Sequence, residues 1–202
     1  MKTPPEPHTL PAALASLTGQ GVAAIDTPAL VIDLDAMERN LARMAAFART
    51  HHVRLRPHAK MNKSAALARL QMQAGAVGVC VQKTSEAEAL AAAGVSDIYI
   101  SNQVIDPARL QRVAALAQRL QATGGRLAIA VDSLEGIARL AAAVESHTTS
   151  GQALLDVFVE IDIGQGRCGV PPGEAAVTLA QAIAAQPVLR FAGLQAYHGR
   201  AQ

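Results

Sequence analysis

From residue 53 onward, short aliphatic runs alternate with Ala- and Leu-rich stretches of helical periodicity. The strand candidates are residues 53–57, 78–81, 97–101, 126–131, 156–162 and 189–197, and helical patterns lie near 63–74, 85–93, 107–120, 134–144 and 174–185. The strands start about 19 to 33 residues apart, which suits a strand plus a crossover helix. Their centres, AIAV and VFVEI, are nearly continuously apolar. Strands of that kind are covered on both faces, which means a parallel sheet. Ahead of them, PALVID (28–33) is a short aliphatic run, and Asp35 is expected to cap a helix carrying Met37, Leu41, Met44 and Ala48 at spacings of three and four. Asp106 and Ser133 are expected N-caps, with Pro107 at a first helical position, where its missing N–H costs nothing. Six βα steps with no Gly-rich dinucleotide loop after the first strand predict an α/β fold of parallel (β/α)8 TIM type rather than a doubly wound sheet. Such a barrel takes about 250 residues. The 202 here are expected to reach only about the sixth strand.

Composition narrows the classes of function. Half of the residues are hydrophobic and the net charge is +2, which excludes intrinsic disorder. A chain of this length buries on the order of 70% of its extended surface, enough for one core. No run reaches the roughly 18 apolar residues of a membrane helix, so no membrane partner is expected. Lys and Arg number 18 against 16 acids, with no basic stripe interleaved with aromatics, and nucleic acid is not an expected partner. Two cysteines, Cys80 and Cys168, cannot build a disulfide framework; the expectation is reduced thiols in a cytoplasmic protein. Residues 1–24 carry Pro4, Pro5, Pro7 and Pro11, then Gly19 and Gly21, and read as a flexible or surface-lying arm before a barrel domain over 25–202. Lys2 precedes the mildly apolar stretch 10–17, but Glu6 and the prolines stand where the positive region of a signal peptide belongs.

In a parallel barrel, catalytic groups gather at the carboxyl ends of the strands. After the first candidate strand comes RPHAKMNK (56–63), where Pro57 ends or edges the strand and leaves His58 and Lys60 at the rim. Two readings stand. One is a partly desolvated lysine able to lose its proton and attack a carbonyl; the other is a pair of solvated lysines opening a helix. Gln82 and Lys83 follow the second strand, and Ser101, Asn102 and Gln103 the third, as hydrogen-bonding groups that suit a polar ligand or an ordinary loop. Asp132, after the fourth, reads as a helix cap. After the fifth stands EIDIGQGRCG (160–169), whose glycines let backbone approach a ligand closely and whose Arg167 offers a fork to a phenolate, carboxylate or phosphate. Gly164, Gly166 and Gly169 match G-x-G-x-x-G, but Pro171 and Pro172 follow at once and no acid stands about 20 residues on, so the dinucleotide fingerprint fails. The sixth strand leads into QAYHG (195–199), placing Tyr197 at the rim as packing or as chemistry. No cluster has zinc spacing, and neither GxxxxGK nor G-x-S-x-G occurs.

In order, the runs TPALVIDLDAMERNLARM, RPHAK, GVCVQK, SEAEALAAAG, DIYISNQV, VEIDIGQGRCGV and GLQAYHG resemble the D-threonine aldolase and D-serine dehydratase-like group. These are fold-type III pyridoxal-phosphate enzymes related to the N-terminal domain of alanine racemase. The likeness runs from about residue 26 to residue 202. It implies that Lys60 forms the Schiff base with pyridoxal 5'-phosphate, that Arg167 lies beside the cofactor ring, that Tyr197 lines its pocket and that Gln82 is a further polar contact. An electron-sink cofactor asks for such a lysine, cation and phenol. His58, Asn62 and His198 are left as substrate or supporting groups. Asn62 departs from the group, which usually has His there; an amide keeps hydrogen bonding but cannot titrate near neutral pH.

The activity implied is cleavage of a D-3-hydroxy-amino acid to glycine and an aldehyde. D-serine dehydration and D-3-hydroxyaspartate cleavage are the alternatives within the class. A non-catalytic pyridoxal-phosphate-binding protein of cofactor homeostasis, or an inactive fragment, is the alternative outside it. The implied partners are a small D-amino acid and, for a full-length enzyme, a second copy as a homodimer. Members of the group carry further barrel loops holding the cofactor phosphate, a C-terminal β domain with the ligands of a divalent metal such as Mn2+ or Mg2+, and a His just after the position of Gln202. The metal ligands are expected outside this chain. With six of eight barrel strands and open edges, the piece is expected to be marginally stable or aggregation-prone.

Overall fold

The structure, a computed structural model, describes residues 15–148 and 154–201. The chain separates into two compact units, residues 1–41 and 42–202. In the first, a short 3-10 turn (Val22–Ala24) precedes an irregular, exposed run over PALVID. Asp33 Oδ1 accepts the Ala36 N–H at 2.8 Å and caps helix α1 (Leu34–Thr50). Asp35, expected as that cap, instead lies within the first turn, where its charge favours the helix dipole. The prolines at 4, 5, 7 and 11 lie outside the described residues.

The second unit is a parallel sheet of β1 (Val79–Val81), β2 (Asp97–Ile100), β3 (Arg126–Val131), β4 (Leu155–Asp162) and β5 (Leu189–Tyr197). Order along the sheet equals order along the chain. A sheet whose order never reverses has no topological switch point, which is the pattern of a barrel wall. Between the strands run α2 (Ala65–Gln73), α3 (Thr84–Ala92), α4 (Pro107–Gln121), α5 (Leu134–Glu145) and α6 (Glu174–Ala184), with α2 preceding β1. Asp106 and Ser133 cap α4 and α5 as expected, accepting the Arg109 and Gly136 N–H groups at 2.9 and 3.1 Å. No helix among the described residues is long and apolar enough to cross a membrane.

Strand parity sorts the side chains. Val79, Ile98, Ile129 and Val157 lie in one apolar cluster with Leu110, Leu140 and Ile183 of the helices. Each such side chain, fully buried, contributes about 1.5–3 kcal/mol. The alternate residues form the opposite face in layers. Tyr99 and Phe158 pack at 4.9 Å between ring centroids. Toward the amino ends of the strands lie two ionic groups, Arg56 with Asp97 at 2.7 Å and Asp156 shared by Arg126 and Arg190.

Among the described residues five strands stand where six are expected. Residues 53–57 run beside β1 and share hydrogen bonds with its neighbourhood: Leu55 C=O accepts from Val77 at 2.9 Å and Pro57 C=O from Cys80 at 2.8 Å. Only His58 pairs with Cys80 in parallel register. Pro57 has no N–H with which to continue the ladder, so the segment lies along the sheet without becoming a strand.

Candidate active site

A cleft of about 370 Å³ opens on the face opposite the helices. Its wall includes His58, Lys60, Gln82, Tyr99, Arg167 and Tyr197, with Arg56, Cys80, Ser101, Phe158, Leu194, Gln195 and Ala196 completing it. The fold therefore brings together five of the seven residues singled out from sequence. Asn62 and His198 are exposed and are not part of this wall. Asn62 Oδ1 accepts the Ser64 N–H at 2.9 Å and shapes the approach to α2.

Lys60 rides on a tight turn. Ala59 N–H donates to Cys80 C=O at 2.7 Å, and Lys63 N–H returns to Ala59 C=O at 2.8 Å. Lys63 takes a left-handed backbone (φ 50°), which L residues seldom adopt. The Lys60 N–H donates to His58 Nδ1 at 3.2 Å, so the neutral ring carries its proton on Nε2, 3.4 Å from Ser101 Oγ. Ser101 Oγ in turn donates to Val81 C=O at 3.2 Å. Burial, and after it the Lys60 ammonium, hold the His58 imidazole below its usual pKa. Lys60 itself is exposed at the rim. The partly desolvated lysine considered from sequence is thus a solvent-facing amine in this structure.

Arg167 is held by a loop pinned at both ends. Asp162 Oδ1 accepts the Gly164 and Gly166 N–H groups at 2.9 and 3.0 Å, and those bonds, Gly166 first, keep its carboxyl below the usual range. Asp132 Oδ2 accepts the Gly169 N–H at 3.1 Å. Asp132 is therefore no helix cap; Ser133 takes that task and frees Asp132 to reach across to the loop. Val170 closes the loop onto β4, donating to Glu160 C=O at 3.0 Å and accepting from Asp162 N–H at 2.9 Å. Gly169 is required there, since a Cβ would stand 2.7 Å from the Asp162 nitrogen, and its φ is +99°. The Arg167 guanidinium carbon lies 4.8 Å from the Tyr197 ring centroid, a cation–π contact.

Three further polar groups were not singled out from sequence. Burial pushes the Tyr99 phenol far above its usual pKa, and it donates to Gln195 Oε1. Glu160, 3% exposed, accepts from Gln103 Nε2. Burial pushes the Cys80 thiol up, which keeps it protonated and a poor nucleophile. Strand parity was the available signal, because Cys80, Tyr99, Phe158 and Glu160 all alternate with residues facing the helices. Arg56 is balanced by Asp97, whereas Lys60 and Arg167 have no carboxylate partner among the described residues. Among the described residues no acid lines the cleft, so it favours an anionic ligand. Among the described residues no three His, Cys, Asp or Glu side chains are grouped to hold a metal.

Comparison with known proteins gives consistent matches. The family model described as alanine racemase, N-terminal domain, matches residues 32–202. The chain is 46% identical over 188 residues to a 3-hydroxy-D-aspartate aldolase of Paracoccus denitrificans, covering 93% of this chain and 46% of that one. It is 43% identical over 184 residues to a D-threonine aldolase of Arthrobacter sp, covering 91% and 46%. The crystal structure of D-threonine aldolase from Filomicrobium marinum superposes with a TM-score of 0.83 at 49% identity, covering 90% and 46%. The chain spans about half the length of the curated relatives it matches.

Proposed function

The chain belongs to the alanine racemase N-terminal domain family, and from that membership we propose that it carries the cofactor lysine of a pyridoxal-phosphate-dependent lyase acting on D-3-hydroxy-amino acids. One observation carries the reading: a single cleft, without an acid in its wall, presents the Lys60 amine and the Arg167 fork together. The aldolase names of the relatives support the reaction class.

The residues present fit that cofactor. A small aromatic aldehyde with a phosphate needs an amine to hold its carbonyl carbon, polar contacts for its ring and no carboxylate to repel its charge. Lys60 would hold it, with Arg167, Tyr197 and Gln82 as further contacts. When bound, pyridoxal phosphate supplies an electron sink that weakens the bonds at an amino acid's α-carbon. The chain's own part is positioning and charge. His58, neutral and hydrogen-bonded to the Lys60 N–H, fixes the turn that presents the amine. Asp162 and Asp132 fix the loop that presents Arg167, so the guanidinium meets a ligand without first being ordered. Protonated Tyr99 and Gln195 close the inner wall. The divalent metal implied by the family resemblance has no grouped ligands among the described residues, which therefore do not account for how it would be held.

Adding pyridoxal phosphate to the protein is expected to raise an absorbance band near about 420 nm, as imines of this cofactor do, and Lys60→Ala abolishes it. D-threonine or D-3-hydroxyaspartate then yields glycine and an aldehyde. A Lys60-dependent band without either product would indicate a cofactor carrier, and keto acid with ammonia would indicate dehydration. Absence of any Lys60-dependent band overturns the reading.

A further inference from the structure

Toward the amino ends of the strands, the residues facing away from the helices alternate in charge across the sheet: Arg56, which also borders the cleft, then Asp97, Arg126, Asp156 and Arg190, the last three away from it. Three cations stand against two carboxylates, leaving one positive charge uncompensated within the layer. The surplus concentrates around Asp156. Arg126 Nη2 donates to its Oδ2 at 2.8 Å, while Arg190 Nε and Nη2 reach its Oδ1 at 2.6 and 2.5 Å. One arginine suffices to neutralise that carboxylate, and two are present. Among the described residues, Arg126 Nε and Nη1 and Arg190 Nη1 have no acceptor. Asp156 is 7% exposed, whereas both arginine side chains keep 59% of their surface.

The two guanidinium groups line a cavity of about 310 Å³ together with Gln121, Leu127, Leu154 and Asp156. Gln121 ends α4 and adds an amide donor. Leu127 and Leu154, nearly buried in the core, border the cavity, and its accessible lining comes mainly from the polar side chains. Conserving stability at this end of a barrel calls for a clamp, but a clamp alone needs neither the second cation nor an open cavity beside it. Guanidinium forks match the paired oxygens of carboxylate and phosphate. We propose that this cavity is a second anion site, in which Arg126, Arg190 and Gln121 take a small oxyanion with at least two acceptor oxygens, separate from the cofactor cleft.

Calorimetric titration of the protein with inorganic phosphate, and separately with malonate, tests this at fixed ionic strength. Binding of either that persists in Arg167→Gln supports the site, and the stronger of the two tells a phosphate site from a dicarboxylate site. Gln121→Glu leaves the Arg–Asp clamp intact and puts a carboxylate beside the anion, so affinity should fall roughly tenfold or more. Arg190→Gln should weaken binding as well. Arg167→Gln, in the cleft, should leave it unchanged. The proposal is overturned if neither anion binds, if Gln121→Glu binds as tightly as the parent, or if Arg167→Gln alone removes the binding.

Discussion

His58 sits between two hydrogen bonds that settle which ring nitrogen holds the proton. Protonating Nδ1 would break its contact with the Lys60 N–H, and the nearby ammonium opposes a second positive charge. Burial is the larger cause of the lowered pKa and Lys60 the next. The folded state therefore binds a proton at His58 less readily than the unfolded chain, whose imidazole titrates near about 6.5. Stability from this residue is full above that value and is lost as pH falls below it toward the lowered pKa. An NMR titration of the ring is expected to show a midpoint below the ordinary histidine value, and Lys60→Met should raise that midpoint without restoring it fully. A midpoint at or above the ordinary value contradicts this account. RPHAK already marked His58 and Lys60 as rim residues. The tautomer was not readable there, because it depends on how the turn folds His58 Nδ1 onto the Lys60 N–H, and that turn is tied to Cys80, with the ring's far side facing Ser101.

The loop between β4 and α6 shows how an element is specified by contacts distant in sequence. Its glycines are visible at once in GQGRCG, yet their demands differ. Gly166 has φ +68° and open space around it, while Gly169 has φ +99° and backbone of residues 160–162 against it. Gly166→Ala should cost about 1–2 kcal/mol for the left-handed backbone alone. Gly169→Ala should cost about 3 kcal/mol or more, since strain and collision add. Urea unfolding midpoints of the two variants measure the difference, and equal losses would refute it. Strand centres and most helix limits followed from periodicity, and Asp106 and Ser133 from capping chemistry. Two expectations were displaced for different reasons: residues 53–57 stop short of a strand at Pro57, which lacks the N–H, and a tertiary contact draws Asp132 to Gly169 rather than to its own helix. The alternation that turns Tyr99 and Phe158 to the cleft was present in the sequence, but continuously apolar strands mask it.

Across the sheet as a whole, β5 pairs with β4 alone among the described strands. Its free edge carries Leu194 at 53% exposure and Phe191 at 39%. Unpaired backbone beside exposed apolar side chains is a template for pairing with another chain. The 202-residue polypeptide prepared by itself is expected to self-associate with rising concentration, and Leu194→Lys should shift sedimentation toward the monomer. Equal association in parent and variant would remove β5 as its cause. The unreversed strand order also has a consequence in time. Each of β2 to β5 pairs with the strand made just before it, so its first partner is already present when it is translated. Units of about 30 residues, emerging at about 5–20 residues per second, follow one another over seconds, long enough for each to dock before the next appears. The chain can fold in the order in which a ribosome makes it.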